Sequence, residues 1–381
     1  MVRNSELRYS FTGGRPSPED FPVQGLIDAA AAVLPRIGKE LVAYPDMDRS
    51  SQHHGMAEVA SKRFEAREGI ALPTEDIIIS EGSMGSIVAL TEFLAKPSDT
   101  VICEELTYMG SLGCFRHHGL HLVGIHVDPM NGMDMDRLTQ QLVRLHEEGI
   151  QPKFIYTIAN YQNPTGAILS QERRNQMLQI ARRFGVPILE DDCYGDVHFE
   201  PEPPPPSLYT IAGGNGVAYI GSCSKIMGPG LRLGYMCVPE DMYGIKSIRI
   251  SAKASGLASM IVAEYLRHNL KEHIRRHNDV LRVKRDLLME VLEDQLRGTC
   301  SWNRPRGGLF CWIRHPEGID LEQLKMAAAE EEVDYTPGNQ FHCANEDIGF
   351  LRLSYTHMNY EQIREGVTRL AGCIKRLSRA T

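Results

Sequence analysis

The tightest constraint on the fold is a series of short apolar or β-branched runs through the middle of the chain, at Ile77–Ile79, Val101–Cys103, Leu122–Val127, Phe154–Ile158, Val186–Leu189, Val217–Ile220 and Leu233–Val238. Each has strand length, and most are separated by helix-like or turn-rich stretches. That alternation predicts an α/β sheet covered on both faces, because parallel strands joined by helical crossovers bury both of their sides. The last pair departs from the pattern. Only twelve residues, rich in Gly and Ser, separate Ile220 from Leu233, too few to house a crossover helix, so these two runs either pair antiparallel or sit apart. Lys225 lies in their connection, within SCSKIMGPGLRLG.

From about Ser251 the periodicity changes. Ile261 to Leu266, then Leu270, Ile274, Leu281, Leu288, Leu292 and Leu296 recur at roughly helical intervals with charges between them, which predicts a long helix leading away from the sheet. A strand-like Leu309–Ile313, a helical Leu321–Glu332, a second strand at Phe350–Leu353 and a terminal helix make a small α+β lobe, which the N-terminal segment is expected to join. The expected division is 1–43 for that segment, 44–255 for the large sheet domain, and 256–381 for the long helix and small domain. Pro201–Pro206 reads as a stiff loop rather than a linker, since the sheet pattern resumes after it. A chain of 381 residues, 42% of them hydrophobic, can bury such a pair of cores.

The charge balance excludes some partners. Forty-one basic and 49 acidic residues sum to -8 with no charged tail, which favours solubility and leaves no electrostatic footprint for nucleic acid. No apolar run reaches membrane-spanning length, and MVRNSELRYS lacks the apolar stretch of a signal peptide, so a cytoplasmic setting is expected. The nine cysteines stand singly, without the paired spacing of a metal site, and read as reduced core residues.

Several chemical groups gather around Lys225. Ser222 and Ser224 precede it and Arg232 follows, with Gly228, Pro229 and Gly230 permitting a tight turn. A phosphorylated aldehyde would find there an amine for its carbonyl, and hydroxyls plus a guanidinium for its phosphate oxygens. VPILEDDCYGD places Asp191 at the end of a buried strand, where ligands of open α/β sheets collect, and Tyr194 three residues on. An acid there suits a protonated pyridine nitrogen. Glu190, Asp192 and Asp196 offer the alternative of a Mg2+ cluster, which no Walker-type lysine motif supports. EGSMGSI follows a strand and opens a helix, so backbone N–H groups at Ser83 and Met84 suit a phosphate, or serve an ordinary helix start. YQNPTG brings Asn163 after another strand, and EELTY brings Tyr108, a residue for stacking on a planar ring or for core packing.

GSMGS, EELTY, YQNPTG, ILEDDCYGD, SCSKIMGPGLRLG and LRLS occur in an order and at intervals that resemble the fold-type I, class I/II aminotransferases. The branch most resembled contains aromatic and 2-aminoadipate aminotransferases and the aminotransferase-like domains of MocR regulators. FTGGRPSPEDFP resembles that branch's N-terminal substrate-facing segment, so the likeness covers nearly the whole chain, without a helix-turn-helix-sized extension. It implies a mainly parallel seven-stranded sheet with a smaller α+β domain, pyridoxal 5'-phosphate as cofactor, and amino transfer between an L-amino acid and a 2-oxo acid. It further implies that Lys225 carries the cofactor covalently and moves protons, that Asp191 binds the ring nitrogen, and that Asn163 and Tyr194 lie near the ring hydroxyl. Ser83, Met84, Ser222, Ser224 and Arg232 would surround the phosphate, Tyr108 would stack on the ring, and Arg352 would grip the substrate carboxylate. A homodimer is implied, with Tyr44 reaching the neighbouring subunit's phosphate.

Two departures bear on substrate. Where relatives show a glycine-proline turn and a leucine-arginine pair, this chain has DMDRSSQHHGMAEVA, with Ala57 at the usual arginine, and Arg15 stands at a commonly apolar position. His53 and His54 are either exposed loop residues or proton carriers in a side-chain reaction. Arg15 permits a polar or acidic substrate side chain, while Met56 and nearby aromatic residues leave aromatic substrates open. The alternatives to transamination are a pyridoxal-phosphate-dependent elimination, cyclisation or oxidation, or a non-catalytic binding protein of the same fold.

Overall fold

The computed structural model describes residues 7–42, 55–247 and 254–380. Its central sheet has seven strands: β1 (Ile77–Ser80), β2 (Thr100–Glu104), β3 (His121–Ile125), β4 (Ile155–Thr157), β5 (Ile188–Asp192), β6 (Val217–Ser222) and β7 (Gly234–Cys237). They lie in the order β1-β7-β6-β5-β4-β2-β3. Within the sheet β7 alone runs antiparallel to its neighbours, in a register that sets Gly234 against Ser222 and Cys237 against Tyr219. The short Gly-rich connection thus closes as a turn between adjacent strands, and Lys225 sits on it.

Two boundaries differ from the sequence pattern, each for a physical reason. The run at Leu122–Val127 divides, because Asp128 accepts hydrogen bonds from the backbone N–H of Met130 (2.9 Å) and Asn131 (2.7 Å) and turns the chain out of the sheet into a two-residue hairpin with Gly132–Met133. The run at Val186–Leu189 is displaced toward its C-terminus, so that β5 takes in Glu190, Asp191 and Asp192, all buried. Polarity argues against a buried strand there; pairing permits it. Glu190 accepts from the backbone N–H of Leu208 and Tyr209, both at 2.9 Å. Asp192 is bound by Arg67, by Asn160 Nδ2 (3.1 Å) and by Tyr219 Oη (2.8 Å). Asp196 goes to the buried Arg63. These three acids are thus held by groups within the protein, with Arg67 also 3.8 Å from Asp196, and among the described residues no group of three or more acidic, His or Cys side chains converges as a metal site.

A 41-residue helix, Gly256–Leu296, follows, about 60 Å long at 1.5 Å per residue. Its start is capped by Ser255 Oγ, which accepts from Ala258 N (3.4 Å). Beyond it Ser301–Trp302, Phe310–Arg314, Phe350–Ser354 and Thr336–Pro337 form an antiparallel four-stranded sheet, with Trp312 opposite Arg352. Helices Leu321–Glu330 and Tyr360–Ala380 complete this part. The N-terminal strand Tyr9–Ser10 pairs with Val333–Asp334. Residues 12–20 then cross to the long helix, where buried Lys284 donates to Ser17 Oγ (2.9 Å) and the Thr356 carbonyl (3.0 Å), and His277 Nδ1 is hydrogen-bonded to Asp20 Oδ2 (2.6 Å). Among the described residues no helix is long and apolar enough to cross a membrane.

Candidate active site

The turn after β6 is fixed by its own backbone. Cys223 N donates to Leu233 O (2.9 Å), Met227 N to Cys223 O (2.8 Å), and Ser224 N to Ser222 Oγ (3.2 Å). Lys225 projects from it into a pocket lined by Gly82, Ser83, Met84, Tyr108, Ile158, Asp191, Cys193, Tyr194, Ser224 and Arg232. Its Nζ donates to the Gly14 carbonyl (3.0 Å) and stands 5.6 Å from the centre of the Tyr194 ring. Burial pushes the Lys225 amine below its ordinary range, which favours the neutral form needed by a nucleophile or base.

Asp191 is the penultimate residue of β5 and lies on the face opposite to its paired neighbours, as the two-residue period of a strand requires. Tyr156 Oη donates to its Oδ2 (2.8 Å), while Oδ1 is buried without a hydrogen-bond partner. Burial pushes the carboxyl up to about 6. A half-satisfied carboxylate in a buried wall calls for a donor or cation from the pocket side.

The anion end is built differently. Helix Gly82–Leu94 begins directly after β1, with Ser83 and Met84 in its first turn, where backbone N–H groups lack intrahelical acceptors. Gly234 allows that approach: a Cβ there would lie 2.5 Å from the Gly82 carbonyl carbon and 2.8 Å from Ser83 N. Arg232 comes to the same corner, its Nη2 donating to the Glu81 carbonyl (2.9 Å). Ser222 is oriented inward on the turn and is not part of the lining.

Across the pocket, Asn163 Nδ2 donates to Tyr194 Oη (3.3 Å) and Arg352 Nη1 donates to Asn163 Oδ1 (2.7 Å). The Arg352 guanidinium carbon lies 3.9 Å from the Phe310 ring centre and 4.6 Å from that of Phe341. Its Nη2 donates to the Thr12 carbonyl, its Nε is buried without a partner, and burial lowers it to about 10, still cationic at neutral pH.

A sequence profile of the aminotransferase class I and II family matches residues 20–370. The chain belongs to that family. It is 32% identical to the 2-aminoadipate transaminase of Thermus thermophilus, covering 97% of this chain and 90% of that one. It is 30% identical to aromatic-amino-acid aminotransferase 1 of Thermococcus litoralis, covering 98% and 89%. A solved structure of a multiple substrate aminotransferase from Thermococcus profundus superposes with a TM-score of 0.91 at 27% identity, covering 100% of this chain and 94% of that one. This aminotransferase is therefore a fold-type I enzyme that moves an amino group with pyridoxal 5'-phosphate as cofactor.

The pocket fits that cofactor on its own chemistry: an orphaned carboxylate oxygen for a protonated ring nitrogen, free helix amides with a guanidinium for a phosphate, and an amine for the carbonyl carbon. Of the residues singled out by sequence, Ser83, Met84, Tyr108, Asp191, Tyr194, Ser224, Lys225 and Arg232 share the lining, and Asn163 and Arg352 join it through Tyr194. Arg15 reaches it only through its neighbour Gly14; its own guanidinium folds over Gly13 and makes no hydrogen bond or ion pair among the described residues. Tyr44, His53 and His54 lie outside the described residues. Sequence reasoning missed Tyr156, Ile158, Cys193 and the Gly14 carbonyl. For Ile158 and Cys193 the signal was present, since each directly follows a sheet strand end.

The raised carboxyl of Asp191 has a stability consequence with a definite sign. The folded state holds its proton more tightly than the unfolded chain, so stability is lost as pH rises from its ordinary 3.8 to about 6, by an amount on the order of 3 kcal/mol, and is not regained above. In cofactor-stripped protein, Asp191→Asn should therefore unfold at higher denaturant than wild type at about pH 8 and match it near about pH 4. An identical difference at both pH values would refute this account.

Proposed function

We propose that Lys225, Asp191 and Tyr194 are the catalytic residues of this aminotransferase. Pyridoxal phosphate, when bound, supplies an electrophilic carbon for the substrate amine and a ring that delocalises the electron pair left when the α proton departs. Lys225 takes the proton from the substrate α carbon and returns it to the cofactor carbon in the first half of the cycle, and runs the reverse order with the 2-oxo acid. Asp191 keeps the ring nitrogen protonated through its free Oδ1. Tyr194 and Asn163 hold the ring oxygen, Tyr108 covers the ring face, and Ser83, Met84, Ser222, Ser224 and Arg232 hold the phosphate, with Ser222 acting through the Ser224 N–H that it binds. The observation that carries this reading is the placement of Lys225 Nζ and the unpartnered Asp191 Oδ1 in the walls of one pocket.

Arg352 binds the α-carboxylate, since its ring-sandwiched guanidinium retains an unused donor. Asn163 orients it through their hydrogen bond. Arg15, with no protein counter-charge among the described residues, takes a polar or acidic group at the far end of the substrate.

The enzyme works as a homodimer in the cytoplasm, with an active site shared between the subunits. Helix Val23–Ile37 and the turn after it expose Val23, Ile27, Leu34, Leu41 and Val42, the last at 92%, an apolar surface that a second copy would cover. The nine cysteines are all free thiols, as a reducing compartment favours.

Three measurements check these assignments. Borohydride reduction of holoenzyme followed by peptide mass mapping should put the cofactor's mass on Lys225, and Lys225→Ala should lower turnover by about a thousandfold; trapping elsewhere ends the proposal. Across a panel of amino acids, Arg352→Lys should raise KM for every substrate about tenfold or more, while Arg15→Ala should do so for acidic substrates alone. Equal losses on aromatic and acidic substrates would remove Arg15 from side-chain recognition. Light scattering should give twice the chain mass, and Val23→Asp with Ile27→Asp should shift it toward one; a monomeric wild type would contradict the shared site.

A further inference from the structure

Asp191 has two oxygens, and only one of them is left for the pocket. Tyr156 Oη donates to Oδ2 at 2.8 Å and accepts from Ser111 Oγ at 2.9 Å. All three side chains are buried to 1% exposure or less. The direction of this chain is fixed by proton count: an ionised carboxylate only accepts, a phenol has one proton to give, and Ser111 supplies the proton that Tyr156 Oη receives. Tyr156 is held from two sides. Its backbone on β4 pairs with Leu189 on β5, and its ring meets Phe115 edge-on at 5.4 Å. Phe115 and Ser111 both belong to helix Met109–His117, and the residue that caps that helix is Tyr108.

We propose that Tyr156, backed by Ser111, is a positioning residue that fixes the Asp191 carboxylate with Oδ1 toward the cofactor ring and keeps it ionised for the ring nitrogen. The proposal rests on Asp191 being the partner of that nitrogen. A donor aimed at Oδ2 stabilises the charged form against burial and against the like charge of Asp192 next to it. Removing the donor leaves the carboxylate free to rotate and to take up a proton, and a protonated acid no longer pairs with a pyridinium. Because one helix carries Ser111 and is capped by Tyr108, the group facing the ring and the group ordering its nitrogen partner are set by a single element.

The alternative is that Tyr156 is an ordinary core tyrosine whose hydroxyl is merely satisfied. The test compares holoenzymes of wild type, Tyr156→Phe, Ser111→Ala and Asp191→Asn, reading the pH midpoint of the bound cofactor's absorption change together with kcat and KM. Tyr156→Phe should raise the midpoint, because a ring nitrogen carrying less positive charge lets the nitrogen joined to Lys225 hold its proton more tightly. It should lower kcat about tenfold with KM changed less than about twofold, and Ser111→Ala should move both readings the same way by less. If Asp191→Asn shifts the midpoint and Tyr156→Phe and Ser111→Ala do not, the relay is overturned and Asp191 stands. If Asp191→Asn leaves the midpoint and kcat unchanged, the reading of Asp191 itself falls, and the relay with it. Should Tyr156→Phe fail to fold, Ser111→Ala decides: a midpoint equal to wild type overturns the proposal.

Discussion

The site depends on how three consecutive carboxylates are tolerated in one buried strand. Burying an unpaired carboxylate costs several kcal/mol, so Glu190, Asp191 and Asp192 can end β5 only if their charges are met. Glu190 and Asp192 face away from the pocket and are answered within the protein, by two backbone N–H groups and by Arg67, Asn160 and Tyr219. Asp191, on the other face, is answered by half. The protein completes the shell of the two structural acids and leaves the shell of the third open on the side where the ring would lie.

That arrangement also explains what sequence reasoning reached and where it stopped. The seven strand segments were legible because each is a local run of apolar or β-branched residues. Lys225 and Asp191 were legible because each ends or follows such a run within a recognisable string. The reversed direction of β7 remained open, since a short connection excludes a crossover without saying whether the strands touch. The extent of β5 was misread because composition cannot show that Arg67, 125 positions from Asp192, will neutralise it. Tyr156 was invisible for the same reason: it reads as one more core aromatic in an apolar run, and its role follows from the register that places β4 beside β5. Ser222 Oγ accepts from the Ser224 N–H, a local closure that spacing alone does not reveal.

The N-terminal segment brings two backbone carbonyls to the site that the sequence did not suggest. It is pinned at one end by the hydrogen bond from Ser354 N to the Phe11 carbonyl (2.8 Å), and at the other by Asp20 with His277 and by Ser17 with Lys284. Between these anchors the Thr12 carbonyl accepts from Arg352 and the Gly14 carbonyl from Lys225. Gly14 admits this closeness, because a Cβ there would lie 2.6 Å from the Phe310 ring and 3.7 Å from Lys225 Nζ. Each carbonyl accepts from a group proposed to engage substrate or cofactor. At Arg352 the proposed substrate carboxylate would replace a neutral acceptor with an anionic one.

The charge of the pocket then runs against that of the whole protein. The chain carries -8, yet the basic groups at the cavity, Lys225, Arg232 and Arg352, outnumber the acidic ones, Asp191 in the wall and Glu81, which pairs with Arg232 at 3.4 Å. Local charge decides the ligand, since interactions beyond a Debye length of about 8 Å are screened in physiological salt. In the proposed reading a phosphate at one end and a carboxylate at the other would bring negative charge to the two guanidinium groups, with Asp191 at the ring nitrogen between them. Burial is the first cause that lowers the proton affinity of Lys225; Arg352 and Arg232 add to it, while Cys193 and Asp191 oppose them.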